Sequence, residues 1–186
     1  MVLTPTIQIP LGYQAPKFNL LNPLIGEFQS LDELKSDKAT VIIFMCNHCP
    51  YVIHVLDGLI QLAQDYIAKG VAIIAINSND IVQYPDDSPE KMIELINDNG
   101  IPFPYLFDET QEVAKAYQAA CTPDFSVFNS NMDCVYRGQL DDSRPGSNTP
   151  VTGRDIRLVL DAILCSSEIN KVQKPSVGCN IKWKKT

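Results

Sequence analysis

Two continuous apolar runs, Val41-Ile42-Ile43-Phe44-Met45-Cys46 and Val71-Ala72-Ile73-Ile74-Ala75-Ile76, flank a segment of different period. Between them Val52, Val55, Leu56, Leu59, Ile60, Ala63, Tyr66 and Ile67 recur every three or four positions, the spacing of a helix with one buried face. A strand that is apolar on both faces has to be covered on both, which is the situation of a parallel strand inside a sheet. Lys69 and Gly70 close the intervening helix. The pattern predicts a βαβ unit, and 186 residues leave room for one such α/β domain with extensions.

The rest of the chain is organised around that unit. Residues 77–87 carry no periodicity. Ser88, Pro89 and Glu90 then supply an N-cap, a proline at the first helical position and an acidic first turn, opening an inserted helix that Gly100 ends. A short strand at 104–107 and a helix over about 109–118, built on Val113, Ala114 and Tyr117, lead to Cys121-Thr122-Pro123. Phe125 to Phe128 and Cys134 to Gly138 form a hairpin pattern across a turn-rich link. After a loop at 139–150, Thr152 and Asp155 resemble a capping box ahead of a last helix carrying Ile156, Val159, Leu160, Ile163 and Leu164. Phe18 to Leu20 and Glu27-Phe28 flank Asn22 to Gly26 as a small N-terminal hairpin. The division that follows is a domain over 1–166 and a tail over 167–186.

Composition excludes several classes. With 15 basic and 22 acidic side chains the net charge is −7, which disfavours phosphate backbones and anionic lipid, so nucleic acid is not an expected partner. The apolar runs are far shorter than the roughly 20 residues needed to span a bilayer, and no membrane association is expected. Met1 to Pro10 lacks the basic start and apolar stretch of a secretory leader, so a cytoplasmic location is the expectation. Six cysteines are too sparse for a disulfide scaffold, and in a reducing compartment most are thiols.

Their placement matters more. Cys46-Asn47-His48-Cys49 falls where a buried strand meets a helix start, the context of a redox dithiol rather than of two packed cysteines. Side chains three apart on a helix have Cβ atoms about 5–6 Å apart, whereas a disulfide wants about 3.5–4.5 Å, so closure needs adjustment in the first turn and gives a labile bond. Pro50 adds a constraint: proline is best tolerated at the first helical position, which would make Cys49 the N-cap and direct the helix-end donors at its sulfur.

These residues resemble the thioredoxin superfamily, in its redoxin branch of peroxiredoxin-like proteins of the alkyl hydroperoxide reductase and thiol-specific antioxidant type and membrane-tethered thioredoxin-like reductases. Ala15 to Leu20 resembles the opening strand of redoxins, Phe44 to Pro50 the active-site turn, and Thr122-Pro123 the cis-proline site. Cys46 to Tyr51, Ala120 to Phe125, Asp141 to Gly146 and Gly178 to Lys184 resemble a peroxiredoxin-like subgroup within it. The resemblance implies a thioredoxin-like α/β fold with an N-terminal β-hairpin, an inserted helix and a C-terminal tail. It also implies Cys46 as an exposed nucleophile, Cys49 as a buried resolving thiol and Pro123, after Thr122, as the shaper of a substrate groove. His48, between the cysteines, is expected either to favour the Cys46 thiolate or to be a solvated loop histidine.

Three functions fit this reading. The first is a thiol–disulfide oxidoreductase that passes through a mixed disulfide, acts on a disulfide-containing protein or a small thiol substrate, and needs no organic cofactor or metal. The second is a thiol-dependent peroxidase, against which stands the absence of Pro-x-x-x-Thr-x-x-Cys: Ile42 and Cys46 occupy the proline and threonine places. The third is a metal-handling or redox-sensing module, in which Cys46, His48, Cys49 and a remote cysteine would bind copper or zinc. Cys121 and Cys179 are read first as packed residues and second as further redox thiols, Cys134 and Cys165 as packing, His54 as solvated and Arg144 as part of a solvated turn.

Overall fold

The computed structural model describes residues 3–170 and 172–185. Met1 and Val2, at the start of the segment weighed as a leader, and Lys171 of the lysine-bearing tail lie outside the described residues.

The βαβ unit forms the centre. β4 (Ala39–Phe44) and β5 (Val71–Asn77) pair in parallel from Ala39↔Val71 to Phe44↔Ile76, joined by α2 (Pro50–Ile67). All six residues of β4 are buried, and successive side chains go to opposite faces. Val41 and Ile43 enter a core with Val52, Leu56 and Leu59 of α2, Met92 of α3 (Pro89–Asn99) and Leu160 of α5 (Arg154–Leu164). Ile42 and Phe44 enter the opposite core with Leu31 of α1 (Leu31–Leu34), Ala114 of α4 (Glu112–Ala116), Tyr117 and Phe128.

The remaining strands extend this sheet on both sides. β2 (Asn19–Asn22) and β3 (Glu27–Ser30) are the N-terminal hairpin, β6 (Tyr105–Phe107) pairs in parallel with β5, and β8 (Asp124–Asn129) and β9 (Cys134–Gly138) continue antiparallel from β4. The order is β3-β2-β6-β5-β4-β8-β9. A second sheet of three strands, β1-β10-β7, is made from Leu3–Pro5 (β1), Val177–Asn180 (β10) and Cys121–Thr122 (β7), so the last twenty residues include a strand built into the fold. Among the described residues, no helix is long and apolar enough to cross a membrane.

Several sequence expectations need correction at element ends. The first strand stops at Phe44, leaving Met45 and Cys46 in the turn. The helix expected over 109–118 is only Glu112–Ala116, because Gln111 has a left-handed backbone (φ 64°) and cannot extend it. The Thr152/Asp155 capping box does not form: Gly153 is the N-cap of α5, and Oδ2 of Asp141 accepts from the amides of both Thr152 and Gly153 at 2.6 Å. Of the two amides the box would have paired, the Asp141 carboxylate takes that of Thr152 and the Leu140 carbonyl takes that of Asp155. The capping box in the structure is at Ser30 and Glu33, ahead of α1.

Arg137, 1% exposed, ties the two sheets together. Its guanidinium donates to the carbonyls of Ile7 (2.9 Å) and Gln118 (2.9 Å) and to Ser126 Oγ (3.2 Å), and it pairs with buried Asp124 at 3.4 Å. Removing one partner of a buried pair leaves an uncompensated charge, a loss of about 3–5 kcal/mol. Arg137→Ala is therefore expected to lower the unfolding free energy measured in urea by that amount, and with it the midpoint, and adding Asp124→Asn should recover part of the loss. Equal midpoints for wild type and Arg137→Ala would refute the role.

Candidate active site

The turn between β4 and α2 is fixed before any chemistry is considered. Met45 N donates to Ile76 O (3.0 Å), which holds the chain on β5 just past the end of β4. Pro50 stands at the first helical position, and Cys49 (φ −71°, ψ 120°) is the N-cap whose carbonyl accepts from Val52 N and Ile53 N. Proline lacks the amide that a later helical position would need, so the helix start and the Cys49 position are the same constraint.

Thr122 and cis-Pro123 meet this turn from the other side. The Cys46 Sγ lies 3.5 Å from Thr122 Oγ1, and the Cys49 Sγ lies 3.1 Å from the Thr122 carbonyl oxygen. The structure thus brings Cys46, Cys49, Thr122 and Pro123 to one place. Cys49 is fully buried, as the resemblance implied, but Cys46, implied to be exposed, is only 1% exposed; β10 lies against the Cys49 side of the turn. Cys179 of that strand places its Sγ 2.9 Å from Cys49 Sγ.

The two thiols divide unequally. The hydrogen bond from the Cys46 thiol draws the Cys49 sulfur below its ordinary range, aided by the Cys179 thiol, Thr122 and the Val52 amide and opposed by burial. The same Cys46–Cys49 hydrogen bond, together with burial and the negative charge of Asp87, pushes Cys46 well above it. The charge of the reduced pair therefore belongs on Cys49, at the helix start, where backbone donors and the macrodipole stabilise a thiolate.

His48 is not a solvated loop histidine. Its Nδ1 lies 2.7 Å from Oδ2 of Asp87, and its ring stacks on Tyr84 with 5.6 Å between centroids and 3° between planes. Asp87, at the end of the turn Pro85–Asp87 and with no exposed surface, also accepts from Asn47 N and from Asn79 Nδ2, each at 2.8 Å. The hydrogen bond to Asp87 raises the His48 pKa; burial resists ionisation of Asp87, but the His48, Asn79 and Asn47 donors outweigh it and lower its pKa. The imidazolium charge is thus matched by a carboxylate, and Cys46 experiences Asp87 rather than His48 as its charged neighbour. Asn47 is held in turn by Tyr105 Oη, 3.0 Å from its Oδ1.

Cys46, His48 and Asp87 also offer donor atoms within 4.8 Å of one another. A thiolate, an imidazole and a carboxylate suit zinc or copper, and this set differs from the expected one in having Asp87 where Cys49 and a remote cysteine stood. Of the other cysteines, Cys121 is buried, with its thiol raised first by burial and then by Asp124, and Cys134 is buried with its pKa raised to about 11 by burial. Both are core thiols. Cys165, expected to pack, is exposed at the end of α5. His54 is not simply solvated, since its Nε2 is 2.5 Å from Ser143 Oγ, and Arg144 is a clamp on its own loop, donating to Asp141 O, Ser143 O and Gln139 Oε1.

The site residues that sequence reasoning missed are Asp87 and Tyr84. Their signal was the polar cluster Asn77-Ser78-Asn79-Asp80 directly after a buried strand, where burial of so many amides and carboxylates requires partners. The pair has a definite pH window. The raised His48 pKa contributes stability that is fully present below the ordinary histidine pKa of about 6.5 and lost as pH rises through the folded value. The lowered Asp87 pKa contributes above the ordinary value of about 3.9 and is lost as pH falls through the folded one. In Asp87→Asn the His48 ring should titrate at lower pH than in wild type by NMR; an unmoved midpoint would show that the ion pair does not control it.

The amino-acid sequence matches the AhpC/TSA family over residues 11–137. The thiol-disulfide oxidoreductase ResA of Halalkalibacterium halodurans is 30% identical over 125 residues, which are 67% of this chain and 65% of that protein's length. A solved structure of an uncharacterized conserved protein from Geobacillus kaustophilus superposes with a TM-score of 0.98 at 57% identity, over 100% of this chain and 98% of the other. The thioredoxin domain of a thiol-disulfide oxidoreductase from Bacteroides vulgatus superposes with a TM-score of 0.63 at 15% identity, over 82% and 99%, which shows a common fold. The fold is thioredoxin-like, and with the match covering the sheet, the dithiol turn and the cis-proline strand, the chain belongs to the AhpC/TSA family.

Proposed function

We propose that the protein is a thiol–disulfide oxidoreductase whose redox centre is the Cys46–Cys49 pair. The observation that carries this reading is geometric: Cys46 and Cys49 at the start of α2 meet the cis-proline strand, with Cys46 Sγ 3.5 Å from Thr122 Oγ1 and Cys49 Sγ 3.1 Å from the Thr122 carbonyl oxygen. The ResA relative, whose name states the same activity, supports it.

We assign the steps differently from the resemblance. Cys49, with the helix start behind it, is the attacking thiolate. It attacks one sulfur of a substrate disulfide; a Cys49–substrate bond forms, the substrate S–S bond breaks, and the leaving sulfur departs as thiolate. Cys46 then attacks Cys49 Sγ as its proton passes to the departing substrate sulfur, giving a Cys46–Cys49 disulfide. The substrate gains two electrons from the pair and one proton from Cys46, and the first sulfur, released as thiolate, takes its proton from solvent. A disulfide-bearing protein or a small disulfide is the substrate class.

The peroxidase alternative rests on the family and on the same Cys49 thiolate, which would carry the sulfenic acid with Cys46 resolving it. The expected outcome of trapping is that Cys46→Ser stalls with a small aromatic disulfide bound covalently through Cys49, whereas Cys49→Ser loses about a hundredfold or more of the disulfide-reduction rate. Adducts on Cys46 in Cys49→Ser, with turnover retained, would reverse the assignment. Consumption of hydrogen peroxide at a rate exceeding disulfide reduction would make the peroxidase reading the better one.

A further inference from the structure

β10 lies where a substrate strand would have to dock. It pairs antiparallel with β7 in the register Cys179↔Thr122 and Asn180↔Cys121, alongside the cis-proline peptide. Its contact there is close: a Cβ on Gly178 would fall 2.0 Å from the Thr122 carbonyl oxygen and 3.2 Å from Pro123 N, so only glycine allows the strand to seat. The strand is tied on both sides. Ser176 Oγ donates to Pro123 O (2.7 Å), and beyond β10 the Lys182 amide donates to Asn79 Oδ1 (2.8 Å) while the Lys182 carbonyl accepts from Asp80 N and Gln111 Nε2, both at 2.8 Å.

This anchoring delivers one sulfur. Cys179, 2% exposed, holds its Sγ 2.9 Å from Cys49 Sγ, on a strand whose opposite edge is fixed by β1. A small apolar residue would fill the same space; a thiol adds a proton donor to the Cys49 thiolate and a nucleophile toward an oxidised Cys49. In the reduced state burial and the neighbouring Cys49 push Cys179 up to about 12, so it stays protonated.

We propose that Cys179 is a third redox thiol, and that β10 acts as a tethered substrate-like strand that closes covalently on Cys49 after the centre is oxidised. The proposal rests on the dithiol reading above. The step is an internal exchange: the Cys179 sulfur attacks Cys49 Sγ of the Cys46–Cys49 disulfide, the Cys49–Cys179 bond forms, the Cys46–Cys49 bond breaks, and the Cys179 proton ends on Cys46. No electron enters or leaves. The product has a free Cys46 thiol and a docking strand covered by the protein's own tail, and an incoming dithiol must reduce the Cys49–Cys179 bond before the strand can leave.

The test is disulfide mapping by mass spectrometry after oxidation with diamide, which takes up the two electrons and two protons, and alkylation of the remaining thiols. Cys46→Ser is expected to give a Cys49–Cys179 linked peptide with the loss of two alkylatable thiols, and wild type to contain that peptide as well. Adding Gly178→Val to Cys46→Ser should reduce its yield about tenfold, since the strand can no longer seat. Full alkylation of Cys49 and Cys179 in Cys46→Ser, or a yield unaffected by Gly178→Val, would overturn the proposal. Cys179→Ser separates the two readings. A Cys46–Cys49 disulfide there leaves the dithiol centre standing whatever becomes of Cys179, and its absence there sinks the dithiol centre and the exchange together.

Discussion

Pro50 can sit in α2 only where no amide hydrogen is required, and that restriction fixes the chemistry of the turn. With proline at the first helical position, Cys49 becomes the N-cap, its carbonyl accepts from Val52 N and Ile53 N, and its sulfur sits at the positive end of an eighteen-residue helix. Cys46 is left in the turn between β4 and that cap, close enough to donate to Cys49 and too buried to ionise easily. The buried β4–α2–β5 unit makes the constraint rigid, because neither the strand end nor the helix start can shift without unpacking Val41, Ile43, Val52 and Leu56.

A buried thiolate needs its surroundings to be charge-matched, and the polar segment after β5 does this. The His48 cation is held by Asp87, and Asp87 is held by Asn47 and Asn79, so the cation and the carboxylate are compensated locally. The net effect on the cysteines is a bias: Asp87 disfavours charge on Cys46, and the first proton to leave the pair leaves from Cys49. His48 acts on the dithiol by keeping Asp87 ionised and placed, and through its own attraction to charge on Cys49.

Much of this was legible in one dimension. The apolar runs and the 3.6-residue period specify β4, α2 and β5, and Ser88-Pro89 with Gly100 specifies α3, because in each case the signal and the structure depend on the same few neighbouring residues. The signal failed where the partner came from far along the chain. Thr152 and Asp155 look like a cap, yet Asp141 and Leu140 take their amides; His48 looks free, yet a residue thirty-nine positions later captures it. Cys179 is the extreme case. Surrounded by lysines it reads as tail, and only the pairing of β10 with both β1 and β7 shows that it belongs to the core.

Under the proposed function, that pairing alters what a substrate encounters. A strand entering beside cis-Pro123 has to exchange the hydrogen bonds of β10 for its own, and it has to displace a residue with no side chain, Gly178, pressed on the Thr122 carbonyl. Exchange of one strand for another is close to balanced in hydrogen bonds, so the selectivity of the groove comes from whatever else holds β10. The Lys182 contacts to Asn79, Asp80 and Gln111 do so on one side and Ser176 on Pro123 on the other. An open groove accepts any extended peptide, whereas one filled by a tethered strand admits only a partner able to release those anchors, which restricts access to the Cys49 thiolate without a separate lid.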